Sequence, residues 1–233
     1  MQLLKKQKKA QVIFFTLITL VAFSCKKDHC DLREVIYSTV SDIDNNTYPT
    51  VFINNQEWMT ENLNVGRFAN GDTIIELQSD SAWISTNANG YAYYNNNSAR
   101  QESFSYGKLY NFNAVTDGRN ICPTGWHVST KSDWDELVKC MGGAYEAGFK
   151  LKENSSSAWS APNNAIANDT INFSALPQGA RIETGEFQNQ RFSAYFWNAD
   201  DQPAVIAMSY LSEGTADFEV KEQFGASVRC VKD

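Results

Sequence analysis

The stretch Cys122-Pro123-Thr124-Gly125-Trp126-His127-Val128-Ser129-Thr130-Lys131-Ser132-Asp133-Trp134-Asp135-Glu136-Leu137-Val138-Lys139-Cys140-Met141-Gly142-Gly143 carries the strongest local signal in this 233-residue chain. Pro-Thr-Gly marks a turn. Thr130 is suited to cap a helix, and Asp133 three residues on makes an acidic variant of the capping box. Trp134, Leu137, Val138 and Met141 recur at i, i+3, i+4 and i+7, the stripe of an amphipathic helix. Gly142-Gly143 ends it, and a second short helix is expected over 144–151. Upstream, Val35-Ile36-Tyr37 and residues 47–53 flank the turn-forming Asp44-Asn45-Asn46, and Asn54-Asn55 returns the chain into Glu57-Trp58-Met59. Downstream, 171–175, 195–197, 205–211 and 227–231 read as short strands. Residues 61–118 are rich in Asn, Gly, Ser and Tyr and are long loops anchored by their own aromatics. The sum is an α+β domain with short antiparallel strands, two helices and long ordered loops.

The N-terminus has a different character. Lys5, Lys6, Lys8 and Lys9 precede a short apolar run from Val12 to Phe23, the pattern of an export signal and too short for a comfortable membrane span. Val21-Ala22-Phe23-Ser24-Cys25 resembles a relaxed lipobox of bacterial lipoproteins. That resemblance implies cleavage after Ser24 and acylation of Cys25, with the lipid membrane as the partner of the acyl chains; two or more chains anchor stably where one does not. The expected organisation is a signal over 1–24, a lipidated cysteine and tether over 25–34, and one domain over 35–233. Loss of the four lysines takes the formal charge from −7 to −11. Such a surface repels phosphate backbones, so no nucleic-acid partner is expected. Asp28 and Asp31 resemble only loosely the acidic surface-export signals of Bacteroidota-type lipoproteins. The location read from the sequence is the cell envelope at the outer membrane, on its periplasmic or surface face.

Four further cysteines remain: Cys30, Cys122, Cys140 and Cys230. An oxidising compartment favours pairing, and four cysteines allow three connectivities. A Cys122–Cys230 bridge would tie the end of the chain to its middle and contribute about 4–5 kcal/mol on the chain-entropy account. Cys140 either pairs with Cys30 or is a buried thiol. The absence of a Cys-x-x-Cys spacing argues against thioredoxin-type and zinc-ribbon chemistry.

Five ordered blocks carry a family resemblance: Tyr48 to Asn64, Gly107-Lys108-Leu109-Tyr110-Asn111, Ile121 to Val128, Phe173-Ser174-Ala175-Leu176-Pro177, and Ser227-Val228-Arg229-Cys230-Val231-Lys232-Asp233. Together they resemble the Fibrobacter succinogenes major paralogous domain family. The resemblance implies a C-type-lectin-like fold on secreted or lipid-anchored bacterial proteins, with no common activity. Gly125 to Trp134 also looks like a stretch of formylglycine-generating enzymes, which share that fold, but Cys230 is the only cysteine near the end of the domain.

Site chemistry is sparse. The chain has two histidines, His29 and His127. Cys122 and His127 would serve as a nucleophile pair only if Cys122 were free, and a disulfide is the better reading. Trp197-Asn198-Ala199-Asp200-Asp201 is similar to the calcium element of sugar-binding C-type lectins but is interrupted by Ala199 and lacks the partner loop. A polar loop after a core Trp is preferred, and no metal or cofactor is expected. Tyr91, Tyr93 and Tyr94, with Asn95, Asn96 and Asn97, either stack on sugar rings and match hydroxyl pairs, as the candidate ligand contacts, or close the core of the long-loop region. Trp197 joins them as a candidate ligand contact. Asp72-Thr73-Ile74, Asp80-Ser81-Ala82 and Asp169-Thr170-Ile171 resemble the O-glycosylation acceptor of Bacteroidota. Glu57, Glu61, Glu183 and Glu186 are available for carboxylate catalysis, with no spacing that singles them out. The preferred reading is a non-enzymatic lipid-anchored envelope protein that binds a glycan or protein partner. A structural or assembly subunit is the alternative, and a carboxylate glycosidase comes third.

Overall fold

The computed structural model describes Cys30 and residues 35–85, 87–100, 106–155, 157–162 and 167–233. The expected signal and Cys25 lie outside the described residues. Thirteen strands follow in chain order: β1 (Ile36–Ser41), β2 (Thr47–Ile53), β3 (Gln56–Met59), β4 (Ile75–Glu76), β5 (Gly90–Ala92), β6 (Leu109–Tyr110), β7 (Trp126–Val128), β8 (Ala180–Arg181), β9 (Phe187–Gln188), β10 (Ser193–Asn198), β11 (Ala204–Ser209), β12 (Thr215–Glu219) and β13 (Cys230–Lys232). The α-helices are α1 (Asp80–Ser85), α2 (Phe112–Thr116), α3 (Lys131–Cys140) and α4 (Ala147–Leu151). Mixed short helices and largely antiparallel sheets make this an α+β protein.

The main sheet has the order β1-β2-β3-β13-β7, so the last strand lies between β3 and β7. Its meander is built on two asparagine turns: Asn45 and Asn54 both take positive φ, which asparagine tolerates better than most residues. Alternation divides the sheet. Val51, Trp58 and Val231 stand in register on one face and join one core, whereas Tyr48, Met59 and Cys230 enter the other. In the second main sheet, β10-β11-β12, strands β10 and β11 are also buried on two faces, whereas β12 is exposed. Trp197 and Val205 meet the first core, and Phe196 and Ile206 meet the second. All six tryptophans are buried.

Helix α3 follows its sequence signal: Thr130 caps it through a complete capping box with Asp133, and Trp134 and Leu137 are buried. Four short α-helices are found among the described residues where two were expected. Helices α1 and α2 span 6 and 5 residues, too short to display a helical period. Residues 171–175, expected as a strand, form a turn instead. Asn172 and Ser174 take positive φ, Asp169 accepts from the Ser174 backbone and hydroxyl, and the only extended feature is a bridge from Lys152 to Ala175. The 205–211 strand stops at Ser209, and the 227–231 strand starts at Cys230.

Cys122 bridges Cys230 and Cys30 bridges Cys140, with Cα–Cα distances of 6.0 and 5.0 Å. The first ties β13 to the turn before β7. The second ties the segment before β1 to the end of α3, so Cys140 is not a free thiol.

Buried cations hold the loops. Arg229 is fully buried and stacks on Phe173 and Phe196. Its guanidinium donates to Asn62 Oδ1 and to the carbonyls of Met59, Phe173 and Ser174. Burial pushes its pKa down to about 9. Arg181 does the same for the loop before α1, donating to the carbonyls of Leu77, Gln78 and Gly185 while lying over Trp83 and Phe187. Lys152 donates to Ser209 and Ser212 carbonyls beside Trp159. Most of these donors go to main-chain oxygens, and Asn62 and Asp80 take one bond each from Arg229 and Arg181.

Candidate functional site

The geometry begins at the N-terminus of α3. Asp133 Oδ2 accepts from the Thr130 backbone at 2.8 Å and from its hydroxyl at 2.6 Å, closing the capping box. The same carboxylate pairs with His127 Nε2 at 3.1 Å, and Nδ1 of that ring pairs with Asp233 at 2.8 Å. Hydrogen bonding to Asp133 first, and to Asp233 after the opposing effect of burial, raises the His127 pKa above its ordinary value. Burial alone would raise Asp133, but the bonds from His127 and Thr130 outweigh it and lower that carboxyl.

The loop after β10 sits on this helix end. The Ala199 N–H donates to the Ser129 carbonyl, and Asp200 Oδ2 accepts from the Lys131 backbone, both at 3.0 Å. Strand register then brings acids to the same place. Asn198, Ala204 and Glu219 stand opposite one another, as do Phe196, Ile206 and Asp217. Directly opposite residues share a face, so Asn198, Asp217 and Glu219 project from the side of the sheet on which Phe196 meets Trp134 of α3.

An open hollow of about 860 Å³ lies here, lined by Lys131, Asn198, Asp200, Asp201, Asp217 and Glu219 among others. Asn198 is 1% exposed, and its Nδ2 donates to Asp217 Oδ1 at 3.0 Å. That bond fixes the amide orientation, because the reverse would set two oxygens together. Asn198 Oδ1 has no hydrogen-bond partner. Lys131 Nζ is 2.7 Å from Asp135 and 3.6 Å from Asp217. Asp201 and Glu219 have no ion-pair partner among the described residues. Four carboxylates against one ammonium give the lining an excess of negative charge, and Ala199, Gln202, Ala204 and Phe218 complete it. A neighbouring hollow of about 550 Å³ shares Ala199, Asp200 and Asp201 and reaches His127 and Asp117.

The residues singled out in the sequence are dispersed differently. The Trp197 ring is fully buried, and its Nε1 donates to the Tyr110 carbonyl at 2.7 Å. It presents no ring surface to a ligand, and it is Asp200 and Asp201 of the following loop that line the hollow. Tyr94 is buried against Phe187. Tyr91 and Tyr93 are half-buried and meet edge to face at 5.9 Å, with Lys108 Nζ over both rings. Burial pushes Lys108 down to about 8 against the opposing pull of Asp44, Asp42 and Glu76. Asn96 and Asn97 are engaged locally, with Gln78 O and Ala99 N. Glu57 accepts from Thr50 and Lys232, whereas Glu183 and Glu186 belong to the β8–β9 turn. Asp217, Glu219 and Lys131 were not singled out in the sequence. The alternation Thr215-Ala216-Asp217-Phe218-Glu219 after Glu213-Gly214 was the available hairpin signal.

The sequence matches the Fibrobacter succinogenes major domain over residues 51–232. The chain belongs to this family. No curated protein and no solved structure matches it. Within this member of the Fibrobacter succinogenes major domain family, the blocks that carry the resemblance build structure: they contain Cys122, Trp126, Arg229 and Cys230, all buried. The acids of the hollow lie outside those blocks. Strand β1 precedes the matched span yet completes the same sheet through six register pairs with β2. No helix among the described residues is long and apolar enough to cross a membrane.

Proposed function

We propose that this chain is a lipid-anchored protein of the outer-membrane envelope, held by acyl chains on Cys25, that binds a glycan or protein partner and catalyses no reaction. The observation that carries the binding reading is the acceptor-lined hollow around Asn198. A buried amide oxygen without a donor is costly in an ordinary interior, and a bound ligand that supplies the donor removes the cost. The C-type-lectin-like reading of the fold belongs to the same proposal. It is supported by the way β13 returns to pair with β3, with long loops between the sheets. A second reading, a subunit of a surface assembly, has its own support at the edge of the main sheet. Ile36 and Tyr37 on β1 are 63% and 51% exposed, beside Phe52 at 40%.

The test is an array of glycans and purified surface proteins probed with the full chain in detergent, with calcium and with chelator. Binding that Asp217→Asn abolishes supports the reading, and silence from a folded sample favours the assembly subunit. For the anchor, cells are labelled with a fatty-acid analogue. Label lost in Cys25→Ala is the expected result, and label retained would overturn it.

A further inference from the structure

We infer that the hollow takes a guanidinium or ammonium group, and that its ligand is an Arg- or Lys-bearing segment of a protein partner; this rests on the binding reading above. Three observations converge. First, Asp200, Asp201, Asp217 and Glu219 line the hollow against the single ammonium of Lys131, which lies closer to Asp135 outside it. Second, Asn198 is held by Asp217 so that its buried Oδ1 is left as an acceptor without a donor. A neutral polyol brings donors and acceptors in equal number and would set its own oxygens against these carboxylates. A guanidinium brings five donors and no acceptor, and an ammonium brings three. Third, the size is wrong for a bare ion. At about 860 Å³ the hollow is on the scale of a small-molecule or side-chain site. A hard cation needs several oxygens converging on one point, and no group of three acidic, His or Cys side chains among the described residues is placed to hold one.

The chain's own structure supplies a precedent for the chemistry. Arg229 and Arg181 satisfy clusters of loop carbonyls inside the fold. The hollow offers carboxylates in place of those carbonyls, beside the buried Asn198 amide. Charge-assisted bonds of this kind are the strong ones.

Fluorescence anisotropy of the full chain in detergent, at physiological salt, with a labelled Gly-Arg-Gly-Arg-Gly peptide and its citrulline counterpart tests the inference. The arginine peptide is expected to bind at least ten-fold tighter than the citrulline peptide. Asp217→Asn and the exposed Glu219→Gln are each expected to weaken it several-fold, while Glu76→Gln, which removes an acid beside the Tyr91–Tyr93 patch, leaves it unchanged. Glu219→Gln keeps the test decisive if Asp217→Asn disturbs folding. Equal binding of the two peptides, equal loss in all three variants, or binding that requires added calcium would overturn the inference. An uncharged oligosaccharide that binds and is lost in Asp217→Asn would overturn it while sparing the binding reading. No binding of either class would overturn both.

Discussion

Arg229, just before β13, and Asn198, at the end of β10, are both buried polar residues, and they have opposite hydrogen-bond balances. Around Arg229, four acceptors meet one guanidinium, and the network is closed. Around Asn198, the amide and four carboxylates face one ammonium, 3.6 Å from Asp217, and an acceptor is left over. A closed network rigidifies, because opening it strands buried groups. An open one leaves free energy for a partner to release. The first region serves folding, and the second is where we propose binding.

The sharpest way to break the comparison is to open the closed region. Replacing Cys122 and Cys230 together by Ala is expected to cost about 4–5 kcal/mol in urea unfolding, since the bridge closes a loop of 108 residues. Arg229→Leu comes next, at about 3–5 kcal/mol, because it leaves the Met59, Phe173 and Ser174 carbonyls and Asn62 without their donor. Neither change alters the lining of the hollow, so folded protein is expected to keep its affinity for an arginine peptide. A loss of affinity without a loss of stability in Arg229→Leu would reverse the assignment.

The pH dependence lies between the two regions. The His127 pKa is raised in the fold, so its pairing contributes stability that is complete below the unfolded value near 6.5 and is lost as pH rises through the folded value. Urea midpoints of the wild type minus those of His127→Gln are therefore expected to shrink from pH 5.5 towards pH 8.5, and a constant difference would contradict this. The smallest effect is expected in the hollow itself. Glu219→Gln removes an exposed charge from an acid-rich strand end and should leave the urea midpoint unchanged or raised by a few tenths of a kcal/mol. A clear loss of stability would show that the acids hold structure.

Local elements were legible in the sequence, whereas neither the Arg229 network nor the hollow was. Trp134, Leu137 and the Thr130–Asp133 box announce α3 because local spacing dictates them. The cysteine at 230 and the meander over 35–59 are equally local statements. The hollow depends on register between strands far apart in sequence. Asn198 and Asp217 meet only because β11 lies between β10 and β12. Trp197 shows the same limit from the other side. An aromatic next to polar loop residues reads as a ligand platform, yet alternation turns its ring into the first core and Asn198 away from it. The 171–175 segment has the composition of a strand, but the Asp169 carboxylate and the Arg229 guanidinium take its backbone groups.

The central claim is tested most directly by following the Asn198 side-chain amide by NMR while the arginine peptide is titrated into the protein. The account predicts that the Asn198 Nδ2 protons shift with the peptide while the Arg229 Nε proton stays in place. Shifts confined to Tyr91 and Tyr93, or an Asn198 amide that does not move while the peptide binds, would contradict it.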